Sequence, residues 1–87
     1  MPEPNTSDLM QHAAQRAEAR PEFIASALAA YRERHGVTDG DVARRLWLNA
    51  DNYARLALCL RPVDATGIAD IAEFVGARLD ALTEILT

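Results

Sequence analysis

The sequence predicts an all-α fold, and three observations carry that expectation. No stretch alternates apolar and polar residues with the period of two that a half-buried strand requires, and β-branched residues are few. Apolar residues recur instead at helical spacing, in segments punctuated by capping residues, glycine and proline. Finally, Thr38 to Pro62, TDGDVARRLWLNADNYARLALCLRP, reads as a short helix, a tight turn and a second short helix, the arrangement that lays a helix into a DNA major groove. The architecture expected is a small five-helix bundle with an N-terminal helical extension.

The elements follow in chain order. Residues 1–7 read as a frayed tail, and Ser7 or Thr6 can cap a first helix running to Arg20. Leu9, Met10, Ala13, Ala14 and Ala17 share one face of it. Pro21 suits the first turn of the next helix, which carries Phe23, Ile24, Ala27, Leu28 and Tyr31 as its apolar stripe and stops at Gly36. Thr38 and Asp41 form a capping-box pattern that starts a helix over Asp39 to Leu46. Asn49 can cap the following helix, which Pro62 must end. Ile68 to Val75 and Leu79 to Leu86 are further apolar-periodic segments, separated by Gly76. The chain thus divides into a tail and extension helix over residues 1–20 and a helix-turn-helix domain over residues 21–87.

Length and charge bound the function. Eighty-seven residues can bury one core, without a deep catalytic cleft beside it. No apolar run approaches the roughly 18 residues of a membrane span, and MPEPNTSD lacks the basic and apolar regions of a secretory signal. A cytoplasmic location and no membrane partner are the expectations. The single cysteine, Cys59, excludes an internal disulfide and fits a reducing compartment. Every basic residue is arginine and alanine is frequent, a bias that points to a GC-rich bacterial source. The net charge of −4 weighs against nucleic acid, since duplex binding leans on neutralised phosphates. Its distribution is more permissive. Residues 20–62 hold seven arginines against five acids, a net of +2, between acidic flanks of −2 and −4.

Within Thr38–Pro62 the apolar positions where two such helices must meet are all filled: Val42, Ala43 and Leu46, then Leu48, then Tyr53 and Leu56. Ala43 sits where the partner helix approaches closely and little bulk fits. Through these residues the chain resembles the lambda-repressor/Cro-like (Xre-type) helix-turn-helix family, as a divergent member. The resemblance covers roughly residues 28–86, including VTDGDVARRL, the exit from Arg55 to Pro62, and IADIAEFVGARLDAL, which looks like the family's last two helices. It implies a lambda-repressor-like helix-turn-helix domain and a small bacterial transcriptional regulator that binds duplex DNA, commonly as a dimer on two half-sites.

The departures from the family pattern are as informative. Asp39 stands where the family usually has a glutamine that touches a phosphate, and a carboxylate there is repelled by DNA, although it favours a helix N-terminus. Trp47 replaces the turn glycine that adopts positive φ cheaply, which implies an altered or strained turn. Ala50 and Asp51 open the second helix where the resemblance implies base-reading polar residues, and Ala57 and Leu58 stand where polar residues are expected. Cys59 takes the place of a terminating glycine.

For DNA, Asn49, Asn52 and Arg55 project from the second helix toward bases or phosphates, asparagine to adenine and arginine to guanine being the productive pairs. Arg44, Arg45 and Arg61 are candidates for phosphate contacts. For Arg44 and Arg45 the alternative is a solvated pair with Asp41 or Asp51. Trp47 and Leu58 are candidates for an apolar protein-interaction surface. The structural alternative there is that Trp47 folds back over the core and that Leu60 packs inside.

Nothing points to catalysis. His12, His35 and Cys59 lack metal-ligand spacing, Cys59 has no adjacent base, and Asp39/Asp41 and Asp80/Glu84 are explained as helix-start and surface charges. No phosphate-cradling glycine loop is present, so no cofactor, metal, catalytic residue or enzyme activity is expected. Two functions remain. One is a weak DNA-binding regulator acting as a homodimer. The other is a non-DNA-binding helix-turn-helix fold used as a protein-interaction module, such as an antiactivator, an antitoxin-like partner or a modulator of a DNA-bound protein.

Overall fold

Helix caps set the register of the architecture. The computed structural model describes residues 6–87, with side chains from Leu9 onward, and over that span it holds six helices and no strand. They are α1 (Thr6–Ala17), α2 (Ile24–His35), α3 (Asp39–Arg45), α4 (Ala50–Ala57), α5 (Ala65–Val75) and α6 (Leu79–Leu86). There are six helices rather than the five of the expected bundle, one for each of the segments named from the sequence. Gly76, at φ 77° in the left-handed region, turns the chain between α5 and α6. Of the tail expected over residues 1–7, residues 1–5 lie outside the described residues, and Thr6 and Ser7 already belong to α1.

Local chemistry explains most boundaries. The capping box at α3 forms as its spacing requires: the Asp41 N–H donates to Thr38 Oγ1 at 3.2 Å, and the Thr38 N–H donates to Asp41 Oδ2 at 3.1 Å. Hydrogen bonds with Thr38, from its backbone first, hold the Asp41 carboxyl below its ordinary value. Asn49 caps α4 by accepting the Asn52 N–H at 2.8 Å. Asp64 caps α5 in the same way, through the Gly67 N–H at 2.8 Å, which starts that helix three residues before the apolar segment at Ile68. Gly36, at φ 63°, ends α2.

Two boundaries move. α1 ends at Ala17, where the amides of Glu18, Ala19 and Arg20 turn to carbonyls three residues back. α2 begins only at Ile24, because residues 22–24 are drawn into an extended pairing with residues 59–61. The Ile24 N–H donates to the Cys59 carbonyl at 2.8 Å and the Arg61 N–H to the Glu22 carbonyl at 2.9 Å, with Phe23 opposite Leu60. Leu60 is thereby held at the surface, 63% exposed, instead of packing inside.

The core lies between α2 and the ring of α3 to α6. Ile24, Leu28, Val42, Leu46, Leu56 and Leu82 are its most deeply buried large side chains, and no polar or charged residue is buried among the described ones. α1 packs mainly on α4 and less on α2. Ala17 is its one buried side chain among those described, with Ala14 packed at the core's edge. At roughly 0.8 kcal/mol per buried carbon, that seam contributes far less than the leucines of the core.

At the α3–α4 turn, Trp47 adopts φ 63° and is 73% exposed. The altered turn expected from sequence is therefore a left-handed one, and the indole does not fold over the core. The Arg78 guanidinium covers the ring at 5.4 Å, and the Arg78 N–H donates to the Leu46 carbonyl at 2.9 Å. A left-handed conformation costs a non-glycine residue about 1–2 kcal/mol, while an exposed cation–π contact returns about 0.5–1 kcal/mol. Trp47→Gly is therefore expected to leave stability unchanged or raise it by up to about 1 kcal/mol in urea unfolding followed by circular dichroism. Gly67→Ala should act in the opposite direction. A Cβ there would meet Pro62 Cβ at 2.8 Å, and the overpacking should lower stability by about 1–3 kcal/mol in the same measurement, against the usual gain of alanine in a helix.

Candidate nucleic-acid interface

The six candidate DNA contacts fall into two groups. Asn49, Asn52, Arg55 and Arg44 belong to α3, the turn and α4. Arg44, Asn49 and Arg55 are exposed, whereas Asn52 is half-buried. Asn49 uses its carbonyl oxygen as a cap, which leaves its amide group as the donor available to a ligand. Among the described residues Arg44 and Arg55 stand in no ion pair, although the Arg44 charge helps lower the Asp41 carboxyl. Arg45 and Arg61 are held elsewhere. Arg45 pairs with Glu84 of α6 at 2.6 Å, which raises its already high pKa, and so does not use Asp41 or Asp51. Arg61 donates to Ser26 Oγ of α2 at 2.9 Å. Of the protein-contact candidates, Trp47 is exposed, whereas Leu58 is half-buried and packs against the core.

Asp39 has a role that the sequence pattern did not reveal. Its Oδ1 accepts a hydrogen bond from the Tyr53 hydroxyl at 2.8 Å and lies 3.2 Å from Arg32 Nε, close enough for an ion pair though not aligned as a hydrogen bond. The far side of the Arg32 guanidinium donates to Glu18, just past the end of α1. Glu18, Arg32, Asp39 and Tyr53 thus form a chain across α1, α2, α3 and α4. The side chain read as repelling a phosphate links α3 to α2 and α4 at the surface. The available signal was an arginine on the inner side of α2 that needed an acid.

Between α1 and the α3–α4 corner lies a cleft of about 460 Å³. Its α1 wall carries Gln11, Ala14 and Gln15, and its opposite wall carries Gly40, Ala50 and Ala54, so small side chains dominate where the helices come closest. Tyr53 opens onto this cleft. Burial first, then the hydrogen bond to Asp39 and its negative charge, push the Tyr53 hydroxyl well above its ordinary 10. Burial likewise pushes the Cys59 thiol up, and its Sγ donates to the Arg55 carbonyl at 3.3 Å, so the thiol is not activated. His35 stacks on Tyr31 with ring centroids 4.2 Å apart. No cluster of three or more metal-binding side chains occurs among the described residues, and no helix there is long and apolar enough to cross a membrane.

Because the folded state holds the Tyr53 proton more tightly than the unfolded state, the hydroxyl's contribution to stability is complete below pH 10 and is lost as pH rises beyond it. An ultraviolet titration should therefore show a late-ionising component from Tyr53, and Tyr53→Phe should remove it. The same variant should lose about 0.5–1.5 kcal/mol at neutral pH with its hydrogen bond. Comparison with family models, curated proteins and solved structures finds no match for the chain.

Proposed function

We propose that this chain is a small regulator with a lambda-repressor-like helix-turn-helix, α3 and α4 forming the motif, that binds duplex DNA weakly. The observation that carries the reading is the set of donors left outward by α3, its turn and α4: Arg44, Asn49 and Arg55 are exposed while the inner face of the same segment is packed. Arginine and asparagine side chains on a short, capped helix suit base edges and phosphates. Two carboxylates nearby, Asp39 and Asp51, and the net charge of −4 keep the affinity low. A dimer on two half-sites would offset that weakness through effective concentration.

A second reading, protein contact on the same scaffold, draws support from Trp47. A bulky aromatic held in a left-handed turn and left 73% exposed is not explained by the stability of the monomer, and tryptophan and arginine side by side are common interface anchors.

Fluorescence polarisation with random-sequence duplex, at about 50 and about 200 mM salt, separates the two. On the DNA reading, binding is seen at low salt, weakens at the higher salt, and falls about tenfold in Arg55→Ala, while Trp47→Ala leaves it unchanged. If no binding occurs at tens of micromolar protein, or if Arg55→Ala is silent, the DNA reading is lost.

A further inference from the structure

α1 lies where a duplex would have to go. In a groove-reading pair of helices, the first turn of the second helix contacts base edges while the first helix crosses the sugar–phosphate backbone. In this chain those places are Ala50 and the start of α3 at Asp39 and Gly40. All three remain exposed to solvent but line the cleft whose other wall is α1, with Gln11, Ala14 and Gln15 across from them. A duplex brought to the opening turn of α4 therefore meets α1 as well. We infer that α1 is a removable cover on the DNA-binding face: duplex and α1 compete for the same ground, and binding requires α1 to leave. The inference rests on the DNA-binding reading given above.

The construction of the α1 seam fits a cover and not a structural strut. Its buried contribution is Ala17, with Ala14 packed at the edge, and Leu9 on the same helix is exposed. No large apolar side chain from the described part of α1 is fully buried. The cleft leaves part of the facing surface of α1 out of contact with the α3–α4 corner. Among the described residues the one charged hold is Glu18 on Arg32, at the end where the chain turns into α2, which is where a swinging helix would pivot.

The largest fully buried side chains, Ile24, Leu28, Val42, Leu46, Leu56 and Leu82, all lie outside α1. Two arrangements follow, closed and open, and the apparent affinity for DNA is the open-state affinity scaled by the open fraction. A cover thus accounts for weak binding in a way that adds to charge.

The test uses the full chain in two measurements. In the first, Ala14→Gly combined with Glu18→Gln loosens the seam, with Glu33→Gln as a control for the lost negative charge that should not reproduce the gain, and duplex binding is read by polarisation at about 50 mM salt. The expected result is affinity about tenfold tighter than the unsubstituted chain. Glu18→Gln alone, which leaves every core contact in place, should move the same way by less. In the second, amide hydrogen exchange is followed on the unsubstituted chain with saturating duplex. Amides of residues 9–17 should lose protection while those of α4 gain it. Equal affinity in the unsubstituted chain and both seam variants, a gain that Glu33→Gln reproduces, or α1 amides that stay protected in the complex, overturns the cover and leaves DNA binding standing. If no chain binds duplex at all, the cover falls together with the DNA reading.

Discussion

The Arg32 guanidinium is the point on which the arrangement of the N-terminal half depends. It is inward enough that its Nε is shielded from water, and it reaches Glu18 on one side and Asp39 on the other. Asp39 in turn accepts the Tyr53 hydroxyl's hydrogen bond. Four helices are therefore linked by one polar chain at the edge of a core whose buried side chains, among the described residues, are all apolar. Apolar packing alone tolerates small slides, since alanine faces offer few features to lock. A directional chain of donors and acceptors does not. Removing the arginine would break both contacts at once and leave the Tyr53–Asp39 hydrogen bond without its link to α2.

That same chain separates what was legible in the sequence from what was not. The caps at Thr38 and Asn49 and the stops at Gly36 and Gly76 were readable because each depends on residues within one helical turn of itself. The late start of α2 was not, because it is set by pairing with residues some 35 positions away, through the Ile24–Cys59 and Arg61–Glu22 hydrogen bonds. Leu60 was misplaced for the same reason, its side chain being positioned by that pairing and not by helical periodicity. The Asp64 cap escaped notice because Ala65, Thr66 and Gly67 carry no apolar stripe to mark the first turn of α5.

The candidate interface divides in a similar way. Composition could name Arg44, Arg45, Arg55 and Arg61 as cations near the motif, but it could not assign their partners. Glu84 lies 39 residues from Arg45, and Ser26 lies 35 from Arg61. Tertiary contacts thus divert two of the four arginines and leave two on the face of interest. Asp39 shows the converse. Its local context at a helix start is electrostatically sound, and its wider context made it a brace between helices.

The chain's lone tryptophan stands on the outside of the bundle. Its indole is largely hydrated in the native state, so its emission maximum reports more on the α3–α4 turn than on whether the core is intact. It is sensitive instead to whatever approaches the α3–α4 turn or displaces the Arg78 guanidinium above it. The protein therefore carries a native optical reporter of surface occupancy, spectrally separate from Tyr31 and Tyr53, which sit against the folded interior.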